Sequence, residues 1–365
     1  MLQASPARIG PAAVADQLSP LQWDDFVCRT PGGDILQTTP WAEAKQALGF
    51  SIGRVTLSRG GRIAGGGQII VKRMGPFGGI GYVARGPLLA QAGEAAALLD
   101  EIELWARVNS VRHIIIQPGE GADEIEAELK NRSYTGDAPA VTPTATLRIG
   151  LAQGLDQILA RMSRGRRRDI AAMQRGDIEL RVGGEGDLDL FCAMHEATAR
   201  RERFTPLSRT YLRRQWECLS PRGWLQVFIA YHRDRPIAGI WHTAFGEGVT
   251  ARVAGWTGEA PGLRPNIACY WGAIQWAKEN GFRYYDFGGI DRDFAEALLA
   301  DQRVTGPAAQ SPEAFKYYFG GDVVLLPVPR QFTLNPIARA VTRPVLAHLA
   351  GRPAFRRFVS RFRNG

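Results

Sequence analysis

The spacing of apolar residues switches between the two-residue period of strands and the 3.6-residue period of helices, and it does so twice in a similar order. In the first run, Val55–Ser58 and Ile63–Arg73 flank S-R-G-G-R, which predicts a two-strand hairpin. A strand leaving into a turn follows at Tyr82–Leu89, then an amphipathic helix at Gly93–Val108, a buried strand at Ile114–Gln117, a helix at Ala122–Asn131 and a strand at Ala145–Ile149. In the second run, Leu155–Arg175 predicts a helix broken at Gly165. A strand at Ile178–Val182 and helices at Asp187–Arg203 and Ser208–Leu219 come next. Trp224–Tyr231 and Ile237–Phe245 then form a hairpin across H-R-D-R-P, and Thr250–Trp256 adds a third strand. The helix Pro265–Asn280 feeds a strand at Tyr284–Phe287, and the run closes with a short helix at Pro312–Phe319 and a strand at Val323–Leu326. Ahead of both runs, 1–18 reads as a loose arm, and Leu21–Arg29 and Trp41–Phe50 read as short helices. No fixed short period is present, which excludes solenoids.

This order implies an α+β chain of two similar halves, and 365 residues suit two average domains. Three antiparallel strands that feed a helix and a parallel strand suit the GNAT (acyl-CoA N-acyltransferase-like) architecture. There, a V-shaped split in the sheet forms the active site.

Charge narrows the partners. The net charge is +9, but the stretch from Val323 to Gly365 holds eight arginines and no acid, leaving about +1 for the rest. That tail interleaves Phe, Val and Leu with Arg. It reads either as a broken amphipathic helix on an anionic bilayer or as a packed helix with a basic outer face. Among 45 basic residues only five are lysine: Lys45, Lys72, Lys130, Lys278 and Lys316. A lysine kept against such an arginine bias marks a place for a compact ammonium. The four cysteines lie far apart and the five histidines form no H-E-x-x-H, so neither a metal site nor a redox motif is expected. No apolar run reaches the length of a membrane span, and the first residues lack a signal-peptide core. The expected location is cytoplasmic.

Four segments carry candidate chemistry. DILQTTPWAEAKQALGF places Lys45 on a helix with Trp41, Ala44 and Leu48. GIGYVARGPLL sets Tyr82 and Arg85 at a strand exit. RMSRGRRRDIAAMQRGDIELR holds seven arginines, readable as a solvated helix face or as a strip for phosphates. YYDFGGI and FKYYFG place Asp286 and Lys316 near glycines about 25 residues apart. The polar stretch Asp291–Gln310 between them reads as a loop. No Walker A, Rossmann or G-x-S-x-G motif occurs, nor the R/Q-x-x-G-x-G/A segment with which ordinary GNAT enzymes hold acetyl-CoA.

Taken in order, LQTTPWAEAKQALGF, YVARGPLL, RGRRRDIAAMQRGDIELR, RPNIACYWGAIQWAKENGFRYYDFGGID and FKYYFGG resemble the FemABX family of non-ribosomal peptidyltransferases, from about Asp34 to Pro327. The resemblance implies two tandem GNAT-like domains, 148–319 being the second and 1–147 plus 320–365 the first. It implies transfer of an aminoacyl group from aminoacyl-tRNA to an amine of a UDP- or lipid-linked muropeptide, in a cleft between domains. Aminoacyl-tRNA would be a co-substrate, with no cofactor. The family's oxyanion-stabilising lysine falls on Lys316, and its backbone role in proton transfer on Phe315. The phosphate-contacting lysine of the early helix falls on Lys45. Tyr82, Arg85, Asp286 and Tyr211 are further substrate contacts. Arg164, Arg166, Arg167 and Arg168 are candidate tRNA contacts. The family's R-S-x-x-Y segment is LSRTY here, with Leu207 in place of the arginine and Arg209 as its expected substitute. The competing expectations are an N-acyltransferase with another donor, such as an acyl-CoA, and a non-catalytic scaffold or RNA-binding module.

Overall fold

The computed structural model describes residues 18–75 and 78–334. The basic tail from Pro336 and most of the N-terminal arm lie outside them.

Described residues divide into two compact units. The first takes 18–39, 50–138 and the stretch after Pro329, and the second takes Pro40–Gly49 and Pro139–Val328. The division differs from the expected boundaries, and hydrogen bonding gives the reason. The strand at Ala145–Gly150 pairs with two strands of the second sheet, so the segment before 148 and the segment 320–328 belong there.

In the first unit, helix α1 (Pro20–Arg29) starts at a capping box in which Ser19 and Gln22 bond each other's backbone. Helix α2 (Thr39–Gln46) falls at the division, with Thr39 in the first unit and the rest in the second. Strands β1 (Ser51–Arg59) and β2 (Arg62–Arg73) form the expected hairpin across Gly60 and Gly61. β3 (Gly79–Ala84) and the short β4 (Leu88–Leu89) both pair with β2. Helix α3 (Ala95–Val108) follows, presenting Leu98, Leu99, Ile102 and Ala106 to Val55, Ile69 and Val83. It returns the chain to β5 (Val111–Gln117), parallel to β3. Helix α4 (Asp123–Asn131) completes this face.

The second unit repeats the plan. Its elements are β6 (Ala145–Gly150), α5 (Leu155–Arg161), α6 (Arg164–Met173), β7 (Glu179–Val182), α7 (Leu188–Glu202) and α8 (Arg209–Leu219). The meander β8 (Leu225–His232), β9 (Arg235–Phe245) and β10 (Gly248–Trp256) follows. The β8–β9 hairpin turns at Arg233 and Asp234, both with positive φ. Helix α9 (Pro265–Glu279) leads to β11 (Tyr284–Asp286), parallel to β10, as α3 leads to β5. Then come α10 (Arg292–Leu299), α11 (Pro312–Tyr317) and β12 (Asp322–Leu325), antiparallel to β6. The last described strand, β13 (Arg330–Thr333), pairs with β5 at the edge of the first sheet. The core of the second unit is formed by Leu147, Ile149, Ile240, Ile267, Trp271, Ile274, Phe287 and Phe319. This is the expected α+β architecture of two GNAT-like units. No helix among the described residues is long and apolar enough to cross a membrane.

Two local expectations are corrected. The break between α5 and α6 lies at Ser163, which caps α6 by accepting from the Arg166 amide; Gly165 sits inside the first turn. The stretch read as a loop after Ile290 contains α10, capped by Asp291 through the Phe294 amide.

Gly320 ends α11 at φ +76°, and a Cβ there would meet the Arg161 carbonyl oxygen at 2.4 Å. Because that neighbour is backbone, Gly320→Ala is expected to lower unfolding free energy by about 2–4 kcal/mol in a denaturant titration. A loss below about 0.5 kcal/mol would show that this junction is slack.

Candidate active site

The candidate site is built at the end of β11. β10 and β11 pair from Gly248–Tyr284 to Thr250–Asp286, after which β10 continues to Trp256 while β11 stops. An irregularity between Ala251 and Val253 bends β10 at the same level. The sheet therefore opens where Asp286 ends its strand.

Asp286 is buried, and its carboxylate is fully engaged. One oxygen accepts from Thr146 Oγ1 (2.5 Å) and the Gly288 amide (2.8 Å); the other accepts from Arg148 Nε (2.8 Å). Gly289 N in turn donates to Thr146 Oγ1 at 3.2 Å. The turn requires glycine, since Gly288 has φ +78° and a Cβ on it would lie 1.9 Å from the Ala251 carbonyl oxygen. Asp286 was expected to touch substrate; the geometry makes it a brace for the glycine turn. Thr146 and Arg148 escaped the sequence reading. The alternation in A-T-L-R-I puts both on one face of β6, which was the available signal.

Lys316 sits in the last turn of α11, a helix started by Ser311, whose Oγ accepts from Ala314 N, and by Pro312 at its first position. Its ammonium donates to the Gly289 carbonyl at 2.5 Å, so the braced turn and the lysine meet directly. The preceding Phe315 offers its carbonyl to Arg166 Nη2 at 2.8 Å.

That contact corrects the expected arginine strip. Arg166 is buried, while Arg164, Arg167 and Arg168 are exposed. Helical periodicity explains the split: 166 and 170 are four residues apart on the inner face, beside Ile170. Arg167 uses Nη1 on the carbonyls of Ala160 and Met162, closing the end of α5.

A second group lies on α2 and α8. Lys45 is 3% exposed, and its Nζ stands 4.5 Å from the centre of the Tyr211 ring. Burial lowers its pKa to about 7. The Tyr211 hydroxyl accepts from Gln215 Nε2 at 3.0 Å, and burial pushes its pKa up. Arg209 does not join them. Two positions earlier on the helix it faces solvent, paired with Glu196 at 2.7 and 2.9 Å. Tyr82 and Arg85 belong to the first unit, where Tyr82 donates to Gln117 Oε1 at 2.5 Å and Arg85 is buried with φ +53°.

Neither buried histidine of this unit is placed as a base. Burial lowers His242 to about 3, and its Nε2 faces the Tyr285 hydroxyl at 2.8 Å. His195 Nε2 accepts from the Leu207 amide while Nδ1 reaches the Ala254 carbonyl.

Comparison with known proteins agrees with this picture. Residues 160–296 match the acetyltransferase (GNAT) domain model. The lipid II:glycine glycyltransferase of Staphylococcus haemolyticus is 27% identical over 229 residues, 59% of this chain and 54% of that protein. The same-named Staphylococcus aureus (strain MRSA252) protein is 27% identical over 221 residues, covering 56% of this chain and 52% of its own length. The chain thus spans about half the length of the curated relatives it matches. The crystal structure of FemX superposes with a TM-score of 0.77 at 18% identity, covering 91% of this chain and 98% of that one. The chain carries an acyltransferase domain of the GNAT type and is similar to these glycyltransferases in sequence and to FemX in fold. The fold is also similar to L-PGS from Bacillus licheniformis, with a TM-score of 0.55 at 14% identity and 92% and 98% covered.

Within the second unit, Lys45 links pH to stability. Its pKa falls from 10.5 to about 7 on folding, so between those values the unfolded chain holds a proton that the folded chain has shed. Its contribution to stability therefore rises with pH through that window and is least favourable below pH 7. Equilibrium unfolding at pH 7 and 9.5 is expected to show wild type gaining stability relative to Lys45→Met as pH rises. Equal pH slopes would mean that the ammonium is not sheltered.

Proposed function

We propose that this chain is an aminoacyltransferase, moving an aminoacyl group from aminoacyl-tRNA to an amine of a UDP- or lipid-linked peptidoglycan precursor. The observation that carries the reading is the Lys316 ammonium, held on the Gly289 carbonyl by the Asp286-braced turn where β10 and β11 part. In ester aminolysis the amine nitrogen attacks the ester carbonyl carbon and a tetrahedral oxyanion forms. The carbon–oxygen bond to the ribose then breaks, and the amine's proton leaves with the ribose oxygen. Negative charge develops on one oxygen, which an ammonium in place before the reaction stabilises without reorganisation. A neutral amine is itself the nucleophile, so the chemistry does not need a strong base. The names of the relatives make lipid II and glycine the first acceptor and aminoacyl group to try.

A phosphate of the acceptor beside Lys45 on α2 would favour the protonated form of this buried amine, with Tyr211 beneath it. Arg164 and Arg168 leave an exposed basic surface on α6 for tRNA. In this reading the protein works at the cytoplasmic face of the membrane, and its basic tail from Pro336 holds it to anionic lipid.

A second reading keeps the same site with an acyl-CoA donor. The GNAT domain match over 160–296 and the replacement of the family arginine by Leu207 favour it.

Transfer of labelled glycine from glycyl-tRNA to lipid II, with and without ribonuclease, separates the two. The expected result is transfer abolished by ribonuclease, and a kcat lowered about 10²- to 10³-fold in Lys316→Ala, the scale of losing an oxyanion donor. Turnover unchanged in Lys316→Ala would remove the catalytic assignment, and ribonuclease-resistant transfer from an acyl-CoA would favour the second reading.

A further inference from the structure

Arg166 is an expensive residue to bury. A guanidinium keeps its charge at neutral pH even though burial lowers its pKa to about 10, so it must be taken from water as a cation. The acid nearest in sequence, Asp169, raises the value but is itself paired with Arg264 at 3.2 Å. Arg166 Nε has no hydrogen-bond partner among the described residues.

Its side-chain hydrogen bond and both of its ring contacts among the described residues fall on one short segment. The guanidinium carbon lies 4.4 Å from the Phe315 ring centre and 4.3 Å from that of Phe319. Nη2 donates to the Phe315 carbonyl at 2.8 Å. The Phe319 amide, the α-helical donor to that carbonyl, bonds the Lys316 carbonyl instead at 3.1 Å. α11 therefore tightens in its last turn, and a side chain 149 residues away satisfies the carbonyl so released. Tyr270 and Phe287 pack behind the two phenylalanine rings. One turn earlier, Ser163 N donates to the Tyr318 carbonyl, tying the start of α6 to the same segment.

We propose that Arg166 is a positioning residue: clamped between Phe315 and Phe319 and bonded to the Phe315 carbonyl, it sets where α11 ends and hence where Lys316 points. The inference rests on the reading of Lys316 as the oxyanion-stabilising group. It requires arginine, because only a flat guanidinium stacks on rings and donates in its own plane at once; a lysine ammonium does one or the other.

The test compares Arg166→Lys, Arg166→Met and Arg166→Ala in the full chain, each checked for folding by thermal melting. Glycyl-tRNA and lipid II are the assay substrates, and hydrogen exchange is followed over 312–320 and over α9. Expected are a kcat lowered about 10- to 100-fold in Arg166→Lys with KM for both substrates within about twofold. Exchange should be about tenfold faster over 312–320 in Arg166→Met with α9 unchanged, and methylguanidinium should partly restore kcat in Arg166→Ala. Wild-type kcat in Arg166→Lys, or unchanged exchange over 312–320, would overturn the proposal. Should wild type transfer nothing from glycyl-tRNA, the functional reading falls, while the exchange result still decides whether Arg166 holds α11. Should Lys316→Ala turn over normally, the role of Lys316 falls instead.

Discussion

Three hydrogen bonds to the Asp286 carboxylate organise the end of the second sheet. A buried carboxylate is tolerated only when its oxygens are satisfied, and here a hydroxyl, a guanidinium and an amide do so. Two of those donors come from β6, the neighbouring strand, and the third from the glycine turn beyond β11. The carboxylate thus joins a strand pair to a turn of two successive positive-φ glycines. The Gly289 carbonyl, and with it the Lys316 ammonium, inherits its position from that joint.

Cation shape explains how this arginine-rich chain distributes its charges. Lys316 delivers a point charge to the Gly289 carbonyl, and Lys45 stands over the Tyr211 ring. Arg166 fills a slot between two rings and uses an edge nitrogen as well. Exposed arginines such as Arg209 and Arg181 are held in ion pairs with Glu196 and Glu179, contacts of small energetic weight at the surface. The same residue type therefore acts as solvated charge in one place and as an internal fastening in another.

Local chemistry made much of the fold readable. Both hairpins were legible because S-R-G-G-R and H-R-D-R-P are turn sequences between alternating strands. The order hairpin, helix, parallel strand was legible in each half for the same reason. The motif that opens with Phe315 and Lys316 stands out by composition and by family resemblance. α10 is hard to read because it is only eight residues long and lies in a polar stretch, although its amphipathic pattern and Asp291, three residues before Phe294, are usable signals. Ser163 lost to Gly165 as the helix break because a glycine is the more conspicuous residue, while the cap hydrogen bond depends on backbone geometry.

The sequence alone specified this chain's elements, the doubled α+β order and the short segments where chemistry concentrates. Those properties depend on neighbours within a few residues. Tertiary structure decided which unit claims β6, β12 and β13, since strand partners are chosen across the whole chain. It also decided that Asp286 is a brace, that Arg209 faces solvent and that Arg166 turns inward. Asp286 meets Thr146 across 140 residues of sequence, and Arg166 meets Phe315 across 149. Local periodicity can give the face on which such a residue lies, but its partner at that separation follows from packing of the finished core.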